Sequence, residues 1–145
     1  MGFLESFHIS ASGMAAERFR MRIASENIAN VDTTRTENGG AYRRKNVVLE
    51  SKKGTFDRAL QRAGKTSGRN AGVRVAAVIA DDRELKHVYR PDHPDADENG
   101  YVDLPNVDLI KETIDSMEAT RAYEANVTAF NAIKLMSQKA LEIGR

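Results

Sequence analysis

Apolar side chains near the start of the chain recur at alternating steps of three and four residues, the spacing that places them on one helix face. They are Leu4, Phe7, Ala11, Met14, Met21 and Ile28. Arg18 and Ser25 interrupt this series with polar side chains. A second apolar stripe lies beside the first and consists of Ala16, Phe19 and Ile23. The pattern predicts a long amphipathic helix that contacts more than one neighbour.

The polar residues after these stripes indicate where the helix ends. Asn30, Asp32 and the pair Thr33-Thr34 favour hydrogen bonds between a side chain and the nearby backbone over continued helix. The first helix should therefore end near Val31.

The C-terminal part of the chain predicts a second long helix. Pro105 ends an extended stretch, Asn106 or Asp108 can cap a helix, and no Pro or Gly follows until Gly144. Such a helix would have about 36 residues and a length of about 54 Å, too long to fold back into a small globule. Its apolar positions form two series whose register shifts near Glu118, as a stutter or a change of partner requires. The first series is Val107, Ile110, Ile114 and Met117, and the second is Ala119, Ala122, Asn126, Ala129, Ile133, Met136, Ala140 and Ile143.

The middle of the chain is different in character. Stretches rich in β-branched or apolar residues predict strands at residues 42–49 and 73–79, with weaker candidates at 86–89 and 100–104. Residues 56–63 could hold a helical turn or two, and glycines mark residues 64–72 as a loop.

The combined pattern predicts a mainly α protein with a small β-rich insert, whose long N- and C-terminal helices pack as a coiled coil. The N-terminal helix occupies residues 1–34, the insert or extended arm 35–105, and the C-terminal helix 106–145, the two helices forming one terminal domain. Small side chains would let another helix approach closely, at Ala119, Ala122, Ala125 and Ala129.

Composition adds two constraints to this fold. Aromatic residues make up 6% of the 145 residues and Trp is absent, which is lean for a thick core but sufficient for narrow helix seams. The net charge of +1 also hides an asymmetry. Residues 35–74 contain eleven basic and three acidic side chains, whereas residues 81–118 contain four basic and twelve acidic ones. These blocks of +8 and −8 could pair within one chain or between copies in an assembly.

Candidate chemistry in the sequence is weak. Residues 59–66 end like a phosphate-binding loop, but Ala59 stands where its first Gly belongs and the preceding residues read as helix. Asp95, Asp97, Asn99 and Gly100 match an EF-hand calcium loop, but Asn106 replaces the bidentate Glu and prolines disturb the flanking helices. An acidic, turn-forming loop is the better interpretation.

Other reactive groups give no constellation. The three histidines, His8, His87 and His93, lack the spacing of a metal site, and no Cys is present. The sequence therefore predicts a protein that is not an enzyme, with no catalytic residues, no metal and no cofactor.

Neither a membrane span nor a secretory leader is expected from the sequence. No apolar run approaches the roughly 20 residues of a transmembrane helix. Polar residues such as Glu5, His8 and Ser10 interrupt the apolar ones at the N-terminus, unlike a cleavable signal peptide. If the protein leaves the cytoplasm, we expect a route that needs no signal peptide.

Four stretches carry a resemblance to a known family. Residues 27–33, NIANVDT, resemble the NIANVNT signature of flagellar rod and hook proteins, with Asp32 where Asn is usual. Residues 116–145 look like the C-terminal signature of the same family around RAYEANV. Residues 42–45 and 89–102 resemble the proximal rod members of that family. The four stretches are in the expected order and reach both ends and the middle of the chain.

The resemblance implies a structural subunit of the proximal rod of the bacterial flagellar basal body. Its terminal helices would polymerise into the inner layer of a hollow drive shaft that transmits torque and lets axial proteins pass. It also implies export from the cytoplasm by the flagellar type III apparatus, without a cleaved signal peptide, and assembly in the periplasm. The implied partners are other copies of the chain, the rod proteins FlgB, FlgF and FlgG, and the rod-to-membrane-ring adaptor FliE, with no nucleic acid.

The resemblance and the apolar stripes together give a set of expected assembly-interface residues. Asn27 to Val31 would hold the turn between helix and arm, and Arg121 to Val127 would lie at contacts between helices. The full set is Leu4, Phe7, Ala11, Met14, Met21, Asn27, Ile28, Ala29, Asn30, Val31, Arg121, Ala122, Tyr123, Glu124, Ala125, Asn126, Val127, Ala129, Ile133, Met136, Ala140 and Ile143.

An alternative function uses the middle of the chain alone. A nucleic-acid-binding module could use the basic insert, although only Tyr42 and Phe56 are available there for base stacking. A calcium-binding module could use the acidic loop. Either reading leaves both long helices unexplained.

Overall fold

The computed structural model describes residues 3–37, 39–53 and 70–143. Within these residues the sequence order is one helix, four strands and a second helix. The elements are α1 (Phe3–Ala29), β1 (Lys45–Lys53), β2 (Asn70–Ala80), β3 (Lys86–Tyr89), β4 (Tyr101–Leu104) and α2 (Leu109–Ile143). Strand β1 pairs with β2, and β3 pairs with β4, as two separate two-stranded sheets. The predicted combination of two long terminal helices and a small β insert is confirmed.

Helix α1 ends, and helix α2 begins, close to the positions that the polar residues predicted. At the end of α1, the Asn30 amide donates to the Glu26 carbonyl at 2.9 Å, and the Thr33 hydroxyl donates to the Asn30 side-chain oxygen at 3.1 Å. At the start of α2, the Asp108 carboxylate accepts the backbone N–H of Ile110 at 3.0 Å. Asp108 is therefore the N-cap, the second of the two candidates.

The strands agree with the sequence patterns in location but not in all their bounds. Strand β3 has the expected limits, and β4 begins one residue later than expected. Strand β1 begins only at Lys45, because the backbone N–H groups of Tyr42 and Arg44 bind Thr33 and Asn106 instead of a neighbouring strand. The expected loop at 64–72 is wrong for its last three residues, which begin β2. The helical turn expected at 56–63 lies outside the described residues.

The first of two compact units consists of Met1–Phe19, Val48–Ala77 and Ala119–Arg145. In it the rings of Phe7 and Phe130 meet edge to face with their centroids 4.8 Å apart. A Cβ atom on Gly13 would lie 2.7 Å from the side-chain oxygen of Asn126, so these parts of α1 and α2 approach closely. The order of the two contacts makes the helices antiparallel in this unit.

Within this first unit, the arm contacts α1 through Ser12. The Ser12 hydroxyl donates to the Ile9 carbonyl at 2.7 Å and accepts the N–H of Val73 at 3.0 Å. Gly72 precedes Val73 with φ of 108°, and a Cβ there would overlap the Ser12 side chain. Glycine is therefore needed at position 72 both for its backbone conformation and for the close contact with α1.

The second unit consists of Arg20–Val47 and Val78–Glu118. Its fully buried apolar side chains include Val102 and Val107, with exposed fractions of 1% and 0%. The antiparallel pairing of β3 with β4 places Val88 opposite Val102 on the inner face. The Lys86 ammonium donates to the Val107 carbonyl at 2.6 Å.

Helix α2 has two different faces. Side chains at steps of three and four are buried or half-buried along one face: Glu112, Ser116, Ala119, Tyr123, Asn126, Phe130, Ile133 and Ser137. Ile110, Ile114 and Met117 form another face and are more than half exposed. The register shift read near Glu118 is therefore a change between two faces of one continuous helix.

A search of the described helices finds no stretch that is long and apolar enough to cross a bilayer.

Candidate assembly interface

A buried polar cluster in the second unit fixes the start of the arm to both helices. We call Asn27, Tyr42, Arg44, Lys45 and Glu112 the Asn27 cluster. The Asn27 amide nitrogen donates to the Lys45 carbonyl at 2.9 Å and to the Glu112 carboxylate at 2.8 Å. Its oxygen accepts the Tyr42 hydroxyl and the Lys45 N–H, both at 2.9 Å. All four hydrogen-bonding positions of the amide are occupied.

Glu112 is 1% exposed, so its charge must be balanced inside the protein. The Arg44 guanidinium provides this balance, since its Nε binds Glu112. The same guanidinium reaches Asp115 through Nη2 at 2.9 Å. Among the residues that the structure describes, no buried side-chain nitrogen or oxygen lacks a hydrogen-bond partner. A buried network of this completeness favours one arrangement of helix and arm over its alternatives.

The environment of Tyr42 follows from its place in this cluster. Burial, together with the nearby carboxylates of Glu26 and Glu112, raises the pKa of the Tyr42 phenol from 10.0 to about 12. The neutral phenol donates to Asn27, whereas a phenolate would have to sit beside two negative charges. The cluster is therefore arranged for a protonated tyrosine.

A second polar arrangement holds the turn after β2. The Arg83 guanidinium donates to both carboxylate oxygens of Asp81 and, through its hydrogen bonds, holds the pKa of Asp81 well below its usual range. The Asn106 amide donates to the carbonyls of Asp81 and Arg83 at 3.1 and 3.2 Å. The Asn106 oxygen accepts the N–H of Arg44, so this turn is connected to the Asn27 cluster.

The loop that resembled a calcium site is closed by its own hydrogen bonds. The Asp97 carboxylate accepts the N–H groups of Asn99 at 2.9 Å and of Tyr101 at 2.8 Å. Asp95 accepts the Thr34 hydroxyl at 2.8 Å and pairs with Arg35 at 3.8 Å. Across the described part of the chain, no three acidic, His or Cys side chains converge on a possible metal position. The sequence is an acidic turn, as its composition indicated.

The expected interface residues fall into three groups by exposure. Asn27 alone is buried, and its amide is fully engaged within its own chain. The exposed members are Leu4, Ala11, Ala29, Arg121, Glu124, Ala125, Ala129, Met136, Ala140 and Ile143. The half-buried members are Phe7, Met14, Met21, Ile28, Asn30, Val31, Ala122, Tyr123, Asn126, Val127 and Ile133.

The exposed part of this set has a marked apolar character. Leu4 is 76% exposed and Ile143 is 85% exposed. Leu135 and Leu141, which were not in the expected set, are 61% and 74% exposed. Large apolar side chains left in water at this density are typical of a surface that another protein covers.

Sequence reasoning missed the partners of Asn27. Residues Asn27 and 42–45 were singled out as signatures, but Glu112 and its pairing with Arg44 were not. The available signal was the position of Glu112 between Ile110 and Ile114. That spacing places its carboxylate on the opposite face of the helix from those two apolar residues.

Comparison with known proteins agrees with these features. A family model described as "Flagella basal body rod protein" matches residues 7–35, and one described as "Flagellar basal body rod FlgEFG protein C-terminal" matches residues 98–143. The chain is 48% identical to the flagellar basal-body rod protein FlgC of Bacillus subtilis, with all of both chains covered. It is 41% identical to FlgC of Borreliella burgdorferi, covering 99% of this chain and 98% of the relative. It is 39% identical to FlgC of Salmonella typhimurium over the whole of both chains.

The two family models cover the signature stretches at both ends of the chain, and the relatives extend the match through the arm. The resemblance seen in the sequence is therefore confirmed, and nothing in these comparisons supports a nucleic-acid-binding or calcium-binding module. The chain belongs to the FlgC family of flagellar basal-body rod proteins, a family of structural rather than enzymatic proteins.

Proposed function

We propose that this rod subunit polymerises through its terminal helices into the hollow shaft of the proximal rod. The helices of neighbouring copies pack as an inner coiled-coil layer, built from residues 1–34 and 106–145, and residues 35–105 form an arm outside that layer. The observation that carries the proposal is the exposure of large apolar side chains at the far ends of both helices, Leu4 on α1 and Leu141 and Ile143 on α2. Burying a side chain of this size contributes about 1.5–3 kcal/mol, so the assembled state gains most where the free chain is most exposed.

The interface in this proposal uses the exposed and half-buried members of the expected set. Asn27 supports it from inside, since its cluster holds the arm on the two helices. A helical lattice surrounds each subunit with several neighbours, which accounts for two distinct faces on α2. Ala125 and Ala129 are exposed small residues where a helix of the next subunit approaches closely.

The wider setting is part of the same proposal. The chain leaves the cytoplasm through the flagellar type III export apparatus without signal-peptide cleavage and assembles in the periplasm. There it contacts further copies of itself, the rod proteins FlgB, FlgF and FlgG, and the adaptor FliE. The support for these partners is family membership together with the unpartnered apolar helix faces.

The close helix seam is tested by one substitution with a control on the same helix. Ala129→Leu adds bulk at the proposed seam, while Asn131→Leu adds the same side chain about 200° away around the helix. Each variant is expressed as the sole copy in a strain that lacks the gene, and the chain is quantified in isolated basal bodies. Circular dichroism of each purified variant provides the check on folding, which both exposed positions should leave intact.

We expect Ala129→Leu to reduce incorporation at least tenfold and Asn131→Leu to leave it near the unsubstituted level. Equal, normal incorporation of both variants would sink the proposed seam. Absence of the unsubstituted chain from basal bodies would sink the proposed function itself.

A further inference from the structure

The outer face of the β3–β4 sheet carries two exposed aromatic side chains. Its register pairs Tyr89 with Tyr101 and His87 with Asp103, and all four side chains point away from the Val88–Val102 core pair. The two tyrosine rings meet edge to face with centroids 5.4 Å apart. Tyr89 is 62% exposed and Tyr101 is 46% exposed. Two adjacent aromatic rings therefore lie in solvent in the free chain.

The rings are held in place by the loop beneath them. A Cβ on Gly100 would lie 2.8 Å from Cε2 of Tyr89 and 3.3 Å from Cβ of Pro91, so both side chains pack directly on the glycine. The N–H of Arg90 donates to the Gly100 carbonyl at 2.8 Å, and the Asp97 N–H donates to the Tyr101 carbonyl at 2.8 Å. A surface fixed in this way binds a partner with little ordering cost.

The surroundings of this face are acidic. Residues 86–104 contain five acidic and two basic side chains, a net of −3. Asp92 and Glu98 are exposed, and neither makes an ion pair with any described residue. An exposed aromatic pair in an acidic stretch of chain matches a cationic segment, because a guanidinium can stack on a tyrosine face and pair with a carboxylate.

We infer that this face, defined by His87, Tyr89, Tyr101 and Asp103, together with the exposed carboxylates of Asp92 and Glu98 in the loop between its strands, docks the basic segment 54–69 of a second copy of the chain. That segment contains four basic and one acidic side chain, a net of +3 that complements the −3 of residues 86–104. The inference rests on the proposed function, because a contact between two different surfaces of identical subunits is the kind that propagates a helical lattice.

Cysteine cross-linking in assembled basal bodies tests this pairing, and the chain has no Cys of its own to confuse the result. A strain lacking the gene expresses two differently tagged copies, one with Arg62→Cys and one with Glu98→Cys. Each copy carries a single thiol, so a bismaleimide product that contains both tags joins two different chains. The control replaces Glu98→Cys by Lys134→Cys, an exposed position on α2.

We expect a doubly tagged product for positions 62 and 98 and at least tenfold less for positions 62 and 134. Two results would overturn the inference while leaving the proposed function intact. One is the presence of both copies in basal bodies without the product, and the other is an equal yield of the product for positions 62 and 134. Absence of the tagged copies from basal bodies would overturn both.

A charge exchange separates specific pairing from simple proximity. Arg58→Glu with Lys65→Glu in the copy carrying the position-62 thiol should reduce the product several-fold. Asp92→Lys in the copy carrying the position-98 thiol should restore part of the yield. An unchanged yield across all combinations would also overturn the inference.

Discussion

At the scale of single residues, the hydrogen bonds of Asn27 explain why its position near the end of α1 requires an amide. Its side chain presents one donor and one acceptor to the backbone of Lys45, as a neighbouring strand would, and gives its remaining bonds to Tyr42 and Glu112. Asp has the same shape but lacks the two N–H donors. The chemistry of the amide, rather than its size, is therefore what this position requires.

Asn27→Asp should strongly destabilise the fold. The new carboxylate would face the Glu112 carboxylate, 2.8 Å from the present amide nitrogen, and would leave the Lys45 carbonyl without its donor. We expect a loss of about 3–5 kcal/mol in the free energy of unfolding, measured by urea denaturation, because a second buried carboxylate would then lie beside Glu112. Asn131→Asp, on the exposed side of α2, should stay within about 0.5 kcal/mol. Equal stability of the two variants would contradict the role of the Asn27 cluster.

Tyr42 gives the cluster a pH signature. Because its folded pKa of about 12 lies above the ordinary value of 10.0, the stabilisation that it brings is complete below about pH 10 and is lost as the pH rises through about 12. Tyrosinate absorbance is followed against pH for the unsubstituted chain and for Tyr42→Phe. The difference between the two curves reports the Tyr42 phenol and should be centred near pH 12. Circular dichroism at each pH would verify that the chain is still folded. A difference curve centred near pH 10 in the folded protein would contradict this.

At the scale of secondary structure, locally encoded features were predictable from the sequence. Asp108 caps α2 through its own neighbours, and Asn30 and Thr33 end α1 in the same way. Strand β3 has the expected limits because alternation and flanking residues define it. The start of β1 was placed too early because the backbone N–H groups of Tyr42 and Arg44 bind Thr33 and Asn106, partners that no local pattern reveals.

The apolar heptad series predicted the helices better than it predicted their contacts within the chain. Gly13 and Asn126 lie where α1 and α2 touch, whereas Leu4 and Ala11 of the apolar series remain exposed. Gly13 permits the close approach to Asn126, Phe7 packs against Phe130, and other large apolar side chains such as Leu4 stay exposed. Spacing alone could not assign the two kinds of face to their partners.

Gly13→Val tests the close approach of the two helices. The added side chain would collide with the Asn126 amide, which is itself tied to the Ala122 carbonyl by a 2.8 Å hydrogen bond. We expect an overpacking cost of about 1–3 kcal/mol in the free energy of unfolding. Ala15→Val, on the exposed side of α1, controls for the effect of a β-branched residue on the helix. A smaller loss for Gly13→Val than for Ala15→Val would contradict the antiparallel contact.

At the scale of the whole molecule, the groups that hold the fold together differ from the apolar side chains that stay exposed. In the second unit the Asn27 cluster holds the arm on the helices, and the described residues leave no buried side-chain polar atom without a hydrogen bond. Val102 and Val107 form the buried apolar core of the same unit. The helix ends, by contrast, expose Leu4, Leu141 and Ile143. Some pairs, such as Arg35–Asp95 and Arg44–Glu112, join the two oppositely charged sequence blocks within the chain. The sequence left open whether such pairs form within or between chains, because charge counts carry no geometry.

Deletion of the gene in its own host tests whether this chain is a structural rod subunit. Electron microscopy would then show whether external filaments and basal-body membrane rings are present, before and after the intact gene is restored. We expect membrane rings without rod or filament in the deletion strain, and recovery of filaments with the restored gene. Normal filaments in the deletion strain would contradict it.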